Sequence, residues 1–335
     1  METARKIVLA RHFRGEPRED DFRVEEEELP AVREGEVLCQ AAYLSVDPYQ
    51  RARAASLQPG DTIMGYQVAL IVQSRCAEFP VGRYLVGDLG WRSATVLDPR
   101  RPPARPGATP TRLLPADWAA PYSLALGALG RPGVSAYFGL LELGRPKHGD
   151  VVVVSGAAGA VGSLVGQIAR IHGCKVIGFA GSDEKVRWLK EELQFDEAFN
   201  YRTTDARRAL KEVAPAGVDV YFDNVGGELS SAVLPCMRHG GRVPICGAVC
   251  AYNSEAPVRA TTVQPAVVGR ELVLQGFLVS RWLPRWDEAV ERMRRWVLDG
   301  RLVCRETVSH GFDSLPRAFI GMLRGDNLGK AVVKV

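Results

Sequence analysis

Four consecutive valines, residues 151–154, run into the small-residue stretch SGAAGAVG and then into apolar positions at helical spacing. No other stretch limits the fold so tightly. A β-branched run without polar alternation reads as a strand buried on both faces, the strand of a parallel sheet. Beyond it, Val161, Leu164, Val165, Ile168 and Ala169 fall at i, i+3, i+4, i+7 and i+8, one face of a helix. Gly156, Gly159 and Gly162 therefore occupy the turn and the first helical turn, where unpaired N–H groups and the positive end of the helix dipole face outward. Glycine lets a pyrophosphate approach that backbone without meeting a Cβ. Gly162 also lets helix and strand pack closely. The G-x-x-G-x-x-G spacing departs from the usual G-x-G-x-x-G, and a purely structural glycine turn is the rival reading. The strand before it and the helix after it favour the dinucleotide.

The alternation continues downstream. CKVIGFA (174–180) precedes a charged helix from Asp183, VDVYFD (218–223) precedes GGELSSAVLPCM, and GRVPICG (241–247) follows. Then come the apolar run ELVLQGFLV (271–279) and the amphipathic stretch WDEAVERMRRWVLDG. Apolar strands separated by helices predict an α/β domain with a six-stranded, doubly wound parallel sheet. The first 120 or so residues read differently, as short strands broken by turns such as QPGD (58–61), with METARKIVLA opening on a first strand. DPRRPPARPGATPTR (98–112) can be neither helix nor central strand and reads as a solvated surface loop. The C-terminal segment gives a strand, a short helix and a final KAVVKV strand that returns to the β-rich domain.

Composition narrows the function classes. With 335 residues, 46% apolar and 24% charged, the chain is expected to be a soluble protein of two domains. A net charge of +4 argues against a nucleic-acid partner. No apolar run approaches the roughly 20 residues of a membrane span, and IVLA is broken at once by Arg11 and His12, against a signal peptide. Seven scattered cysteines read as reduced, buried thiols of a cytoplasmic protein.

The second strand of the α/β domain chooses between cofactors. An NAD site places Asp or Glu at its end for the ribose 2′-hydroxyl. Here FAGSDEK puts Gly181 and Ser182 there, with Asp183 and Glu184 reading as first-turn helix residues under an N-cap. A hydroxyl with Lys185 beyond it suits a 2′-phosphate, hence NADPH.

SVDPYQR (45–51), GRPGVSAYFGLLELG (130–144), the glycine loop, GSDEKVRWL, FNYRT (199–203), VYFDNVGGE, ICGAVCAYN and GMLRGDNLGKAVVKV occur in an order that resembles the prostaglandin reductases. These form the leukotriene hydroxydehydrogenase and alkenal reductase branch of the zinc-independent medium-chain reductases. The resemblance implies a GroES-like β-rich catalytic domain (1–125), a Rossmann NADPH-binding domain (126–300), a C-terminal return (301–335) and a cleft between the domains. It implies NADPH-dependent reduction of the carbon–carbon double bond of α,β-unsaturated ketones and aldehydes, of the 15-oxo-prostaglandin or 2-alkenal type. Oxidation of a leukotriene 12-hydroxyl and a cytosolic homodimer are implied as well.

Carried over by that resemblance, Gly159, Ala160, Val161 and Gly162 form the phosphate turn, and Ser182, Lys185 and Tyr201 meet the 2′-phosphate end. Asn224 sits over the cofactor at the end of the fourth strand of the α/β domain. Cys246, Gly247, Ala248, Val249, Cys250, Ala251 and Tyr252 run along the nicotinamide side. Phe277, Leu278 and Val279 form the next strand end, and Asn327 adds a contact from the C-terminal tail. Each has a plainer rival: Tyr201 capping a strand, Asn224 satisfying a turn, Tyr252 holding its own loop. Residues 73–112 and 253–271 depart from the family pattern, which leaves the choice of substrate open.

A zinc alcohol dehydrogenase of this architecture carries Gly-His-Glu where this chain has Gly65-Tyr66-Gln67, and Tyr and Gln are poor zinc ligands. No metal is expected. Conjugate reduction needs none: hydride goes to the β-carbon, and charge gathering on the carbonyl oxygen requires donors aimed at it. The resemblance suggests Tyr252 and the nicotinamide ribose hydroxyl for that task, with Tyr49 lining the pocket. A tyrosine, ordinarily titrating near pH 10, remains a donor at neutral pH. The alternatives are a quinone reductase of the same superfamily and a non-catalytic NADPH-binding protein.

Overall fold

The computed structural model describes residues 3–103 and 105–335. The chain divides into two compact units, Met1–Gly127 with Glu306–Val335, and Ala128–Arg305.

In the first unit the strands are β1 (Thr3–Leu9), β2 (Phe22–Glu28), β3 (Val37–Ser45), β4 (Tyr66–Ser74), β5 (Tyr84–Asp88), β6 (Ala94–Leu97) and β7 (Arg112–Leu113), with helix α1 (Tyr49–Arg53) between β3 and β4. In the second, β8 (Val151–Ser155), β9 (Lys175–Ala180), β10 (Glu197–Asn200), β11 (Val218–Phe222), β12 (Met237–Ile245) and β13 (Val273–Gly276) alternate with helices. These are α2 (Arg131–Phe138), α3 (Gly162–Ile171), α4 (Asp183–Glu191), α5 (Ala206–Val213), α6 (Gly227–Val233), α7 (Gln264–Arg270) and α8 (Trp286–Leu298). The chain then returns to the first unit as β14 (Glu306–His310), α9 (Leu315–Arg324) and β15 (Lys330–Lys334).

The second unit's sheet has the order β10-β9-β8-β11-β12-β13, and every pairing is parallel. Val152, Val153 and Val154 are fully buried, as the unbroken apolar run requires. Val153, Ile177 and Tyr221 pack with Leu210 and Val233 on one face, while α3 lies against β8 and β9. The apolar run 271–279 yields a shorter strand than its composition suggests. β13 stops at Gly276, and Phe277 and Val279 turn into a core with Phe138, Trp282 and Trp286. Apolarity there serves helix packing, so residues 277–279 lie past the strand end.

In the first unit the sheet order is β14-β15-β3-β4-β5-β7, with β6 also on β3. Phe22, Trp91 and Phe319 meet in its core, Trp91 stacking on Phe22 at 5.7 Å between centroids. The 98–112 stretch departs from the solvated loop expected of it. Arg105 pairs with Asp88, and the chain beyond is buried at Ala108 and Thr109, where the Thr109 N–H donates to Tyr66 Oη at 2.7 Å. A buried hydroxyl and a nearly buried carboxylate each demand a partner, and this loop supplies both. Arg100 and Arg101 stay at the surface on Asp98.

Of the cysteines, Cys39, Cys76 and Cys174 are buried and Cys250 is exposed, against the expectation of burial. Cys250 sits on a short loop turn that offers its side chain no core to enter. Among the described residues no helix is long and apolar enough to cross a membrane.

Candidate cofactor crevice and site residues

The turn after β8 is built from glycines for two distinct reasons. Gly156 adopts φ +57°, a left-handed conformation that disfavours any other residue. At Gly162 a Cβ would collide with the Gly156 carbonyl and stand 2.8 Å from Ala157 Cα. Gly159 differs: a Cβ there would meet only the Gly156 oxygen, at 3.3 Å. The turn is therefore closed on the side of α3 and open at Gly159, beside the N-terminus of a ten-residue helix entered through Val161. Such a cradle fits a dinucleotide pyrophosphate.

β8 pairs with both β9 and β11, which makes the gap between β8 and β11 the point where strand order reverses. Asp223 sits there, immediately after β11 and 4% exposed. Its carboxylate accepts hydrogen bonds from Ser155 Oγ at 2.9 Å, Tyr221 Oη at 3.0 Å, Ser230 Oγ at 2.5 Å, and the Val225 and Gly226 amides at 3.0 and 2.9 Å. Asn224 is locked to the end of β8, its N–H donating to Ser155 Oγ at 2.9 Å and its side-chain amide to Ser155 O at 2.7 Å. The 246–252 loop hangs from the same segment. The Cys246 N–H donates to Asp223 O at 2.8 Å, Val249 N–H to Asn224 O at 3.2 Å, and Cys250 N–H to Val225 O at 3.1 Å. Three loops, carrying the glycine turn, Asn224 and Tyr252, are thus tied into one crevice.

Within it, burial pushes the Cys246 thiol up to about 12, with the Asp223 charge adding to the effect. Cys246 is accordingly no nucleophile at neutral pH. The Tyr252 hydroxyl lies 3.5 Å from the Ala248 N–H, from which it accepts. That long bond uses a lone pair and leaves the O–H proton to donate elsewhere. Val279 is buried and Phe277 half-buried against the core of Phe138 and Trp282, while Leu278 is exposed.

At the other end of the crevice, Ser182 caps α4, its hydroxyl accepting from the Lys185 N–H at 3.3 Å. Asp183 and Glu184 stand in the first helical turn behind it. Tyr201 crosses over this end, its N–H bonded to Ala180 O. A Cβ on Gly181 would lie 3.3 Å from Tyr201 Oη and 3.6 Å from Arg202 Nε. Gly181, Tyr201 and a second cation, Arg202, therefore converge beside the Ser182 cap.

In the first unit, Tyr49 opens α1 and packs against the cluster of Tyr66, Val68, Leu126 and Val332. Its approach loop is fixed by Gln50, which accepts from Asp47 N–H at 2.7 Å and donates to Met64 O at 2.7 Å. Asn327 donates to Gly329 O at 2.7 Å, shaping the turn into β15. Tyr66 and Gln67 lie in β4, Tyr66 accepting from Thr109 and Gln67 donating to Gly90 O and to Arg92 O at 3.0 Å. Among the described residues no three His, Cys, Asp or Glu side chains converge on one point.

Sequence reading passed over Asp223, Arg202 and Lys330. Arg202 was visible in FNYRT beside the tyrosine it accompanies. No spacing marks Asp223 or Lys330, because Ser155 and Asp47, which complete their surroundings, lie far away in sequence.

A parallel sheet in the order found here with its glycine turn, and a separate β-rich unit, are the two parts of a medium-chain dehydrogenase/reductase. Residues 5–102 match a family model described as the N-terminal domain of oxidoreductase, and residues 160–295 one described as zinc-binding dehydrogenase. The chain is 46% identical to prostaglandin reductase 1 of Bos taurus over 100% of both chains. It is 37% identical to the NADP(+)-dependent 2-alkenal reductase of Nicotiana tabacum, over 99% of this chain and 97% of that one. Its structure superposes on that of CurA in complex with NADPH from Vibrio vulnificus with a TM-score of 0.91 at 34% identity, covering 99% of each chain. The chain belongs to the prostaglandin reductase branch of the zinc-independent medium-chain reductases.

Proposed function

We propose that the protein reduces the carbon–carbon double bond of α,β-unsaturated ketones and aldehydes at the expense of NADPH. The observation that carries the reading is the convergence of the glycine turn, Asn224 and the Tyr252 loop at the strand-order reversal. The names of the bovine and tobacco relatives support it.

Bound NADPH supplies the hydride that the substrate's β-carbon receives. The chain's part is to hold and orient. The turn Gly159–Gly162 with the amides opening α3 would hold the pyrophosphate, and Ser182, Lys185, Tyr201 and Arg202 would hold the 2′-phosphate. Asn224, residues 246–252 and residues 277–279 would hold the nicotinamide side. As charge gathers on the substrate carbonyl oxygen, the Tyr252 O–H donates to it, which is electrostatic stabilisation where charge develops. Solvent then delivers the proton to the α-carbon, so hydride and proton together saturate the bond.

Substrates of 15-oxo-prostaglandin or long-chain alkenal type follow from the family, and the thiols suit the cytoplasm. A homodimer is proposed through the edge strand β13, where Val273 is exposed and Leu278, just beyond, is 70% exposed. Loss of NADPH absorbance with a 15-keto-prostaglandin, a long-chain alkenal and a quinone, assayed side by side, tests the reading. Turnover with the enone or enal above the quinone supports it. Quinone-only turnover makes the protein a quinone reductase, and none with any acceptor makes it an NADPH-binding protein.

A further inference from the structure

Asp223 holds a charge that the reductase reading leaves without a task. Two of the five groups bonded to it are backbone amides, which only donate, and Ser230 Oγ reaches the second oxygen. A group surrounded by donors is an acceptor, as an ionised carboxylate is. No lysine or arginine pairs with it among the described residues, although it is 4% exposed. Dipoles solvate this anion, and no cationic side chain among the described residues neutralises it. Its field is felt nearby: after burial itself, the Asp223 charge helps raise the Tyr221 hydroxyl and the Cys246 and Cys250 thiols. Cys246 and Cys250 lie on the loop that carries Tyr252. Burying an unpaired charge is expensive, and hydrophobic or neutral side chains would hold three loops together at lower cost.

We infer that Asp223 is a fixed anion beneath the cofactor crevice that favours the oxidised nicotinamide over the reduced one, and so makes bound NADPH a stronger hydride donor. This rests on the proposed NADPH site. The oxidised ring carries a positive charge that the reduced ring lacks. An anion fixed by Ser155, Ser230, Tyr221 and two amides cannot swing away or pair with a counter-ion, so it discriminates between the two forms without touching either. A carboxylate serving only to knit the loops would affect both forms alike.

The test is binding, not turnover. Dissociation constants for NADP+ and NADPH are measured by calorimetry on the wild type, Asp223→Asn, Asp223→Glu and Ser230→Lys. Asp223→Asn keeps the shape and removes the charge. It is expected to raise the ratio of the NADP+ constant to the NADPH constant at least about fivefold, since a unit charge in direct contact through an effective dielectric of about 20 would do much more. Asp223→Glu keeps the charge and leaves the ratio within about twofold of wild type. Ser230→Lys sets an ammonium beside the unaltered carboxylate and moves the ratio as Asp223→Asn does. That arm decides the matter if Asp223→Asn does not fold. An unchanged ratio in the folded charge-removing variant, with both constants rising together, overturns the inference and leaves Asp223 a loop anchor. Wild-type protein that binds neither nucleotide overturns the reductase reading instead.

Discussion

Lys330 Nζ, on the last strand, lies 3.1 Å from Asp47 Oδ1 at the end of SVD, and the lysine is 4% exposed. The same ammonium donates to the carbonyls of Val46 and Ala331, both at 2.7 Å, while Ser45 Oγ donates to the other Asp47 oxygen. This buried pair joins β15 to the loop that leads into α1 and Tyr49.

Removing one partner of a buried pair strands the other charge. Lys330→Met is expected to cost about 3 kcal/mol or more of unfolding free energy. The double variant Asp47→Asn/Lys330→Met should be more stable than the sum of the two single losses predicts. Denaturant melts of the four proteins check both.

Glu306 is the register partner of Lys330 across β14 and β15. Ser123 Oγ donates to one of its oxygens at 2.6 Å, and the other is buried with no hydrogen-bond partner among the described residues. Burial raises its carboxyl above the ordinary value of 4.5, against the opposing pull of Ser123 and Lys330. The native state thus holds this proton more tightly than the unfolded chain does. Its contribution to stability is full below 4.5 and is lost as pH rises through the raised value. Glu306→Gln, neutral throughout, should therefore gain on the wild type as pH rises from 4 toward 7. Melting temperatures of the two proteins across that range give the sign.

Tyr252→Phe keeps the ring and removes the O–H. It is expected to lower turnover of an enone roughly tenfold or more, with NADPH affinity largely unchanged because the Ala248 amide merely loses a long acceptor. Unchanged turnover would assign Tyr252 to its loop alone.

Arg202 and Lys185 are the cations proposed for the adenosine 2′-phosphate. Arg202→Ala and Lys185→Ala are each expected to weaken NADPH roughly tenfold, the scale of one charge-assisted bond, and to leave NADH nearly unaffected. Equal losses for both cofactors would place the two side chains elsewhere.

Local periodicity made much of this legible. The valine run, the helix face from Val161, the Ser182 cap and the return of the last strand each follow from residues close in sequence. What escaped was set by tertiary context. Arg105 and Thr109 leave the surface because Asp88 and Tyr66, on other strands, need partners. Asp223 gathers donors from the ends of β8 and β11 and from α6, and Lys330 meets an aspartate at the far end of the chain. β13 is short because Phe277 and Val279 are drawn into helix packing, which an apolar run does not distinguish from a strand.

Calorimetric titration of NADPH into the purified protein bears on all of this most directly. Saturable binding at one site per chain is expected, weakened when a Cβ is placed in the open side of the turn by Gly159→Ala. Protein that is folded and gives no heat of binding would contradict it.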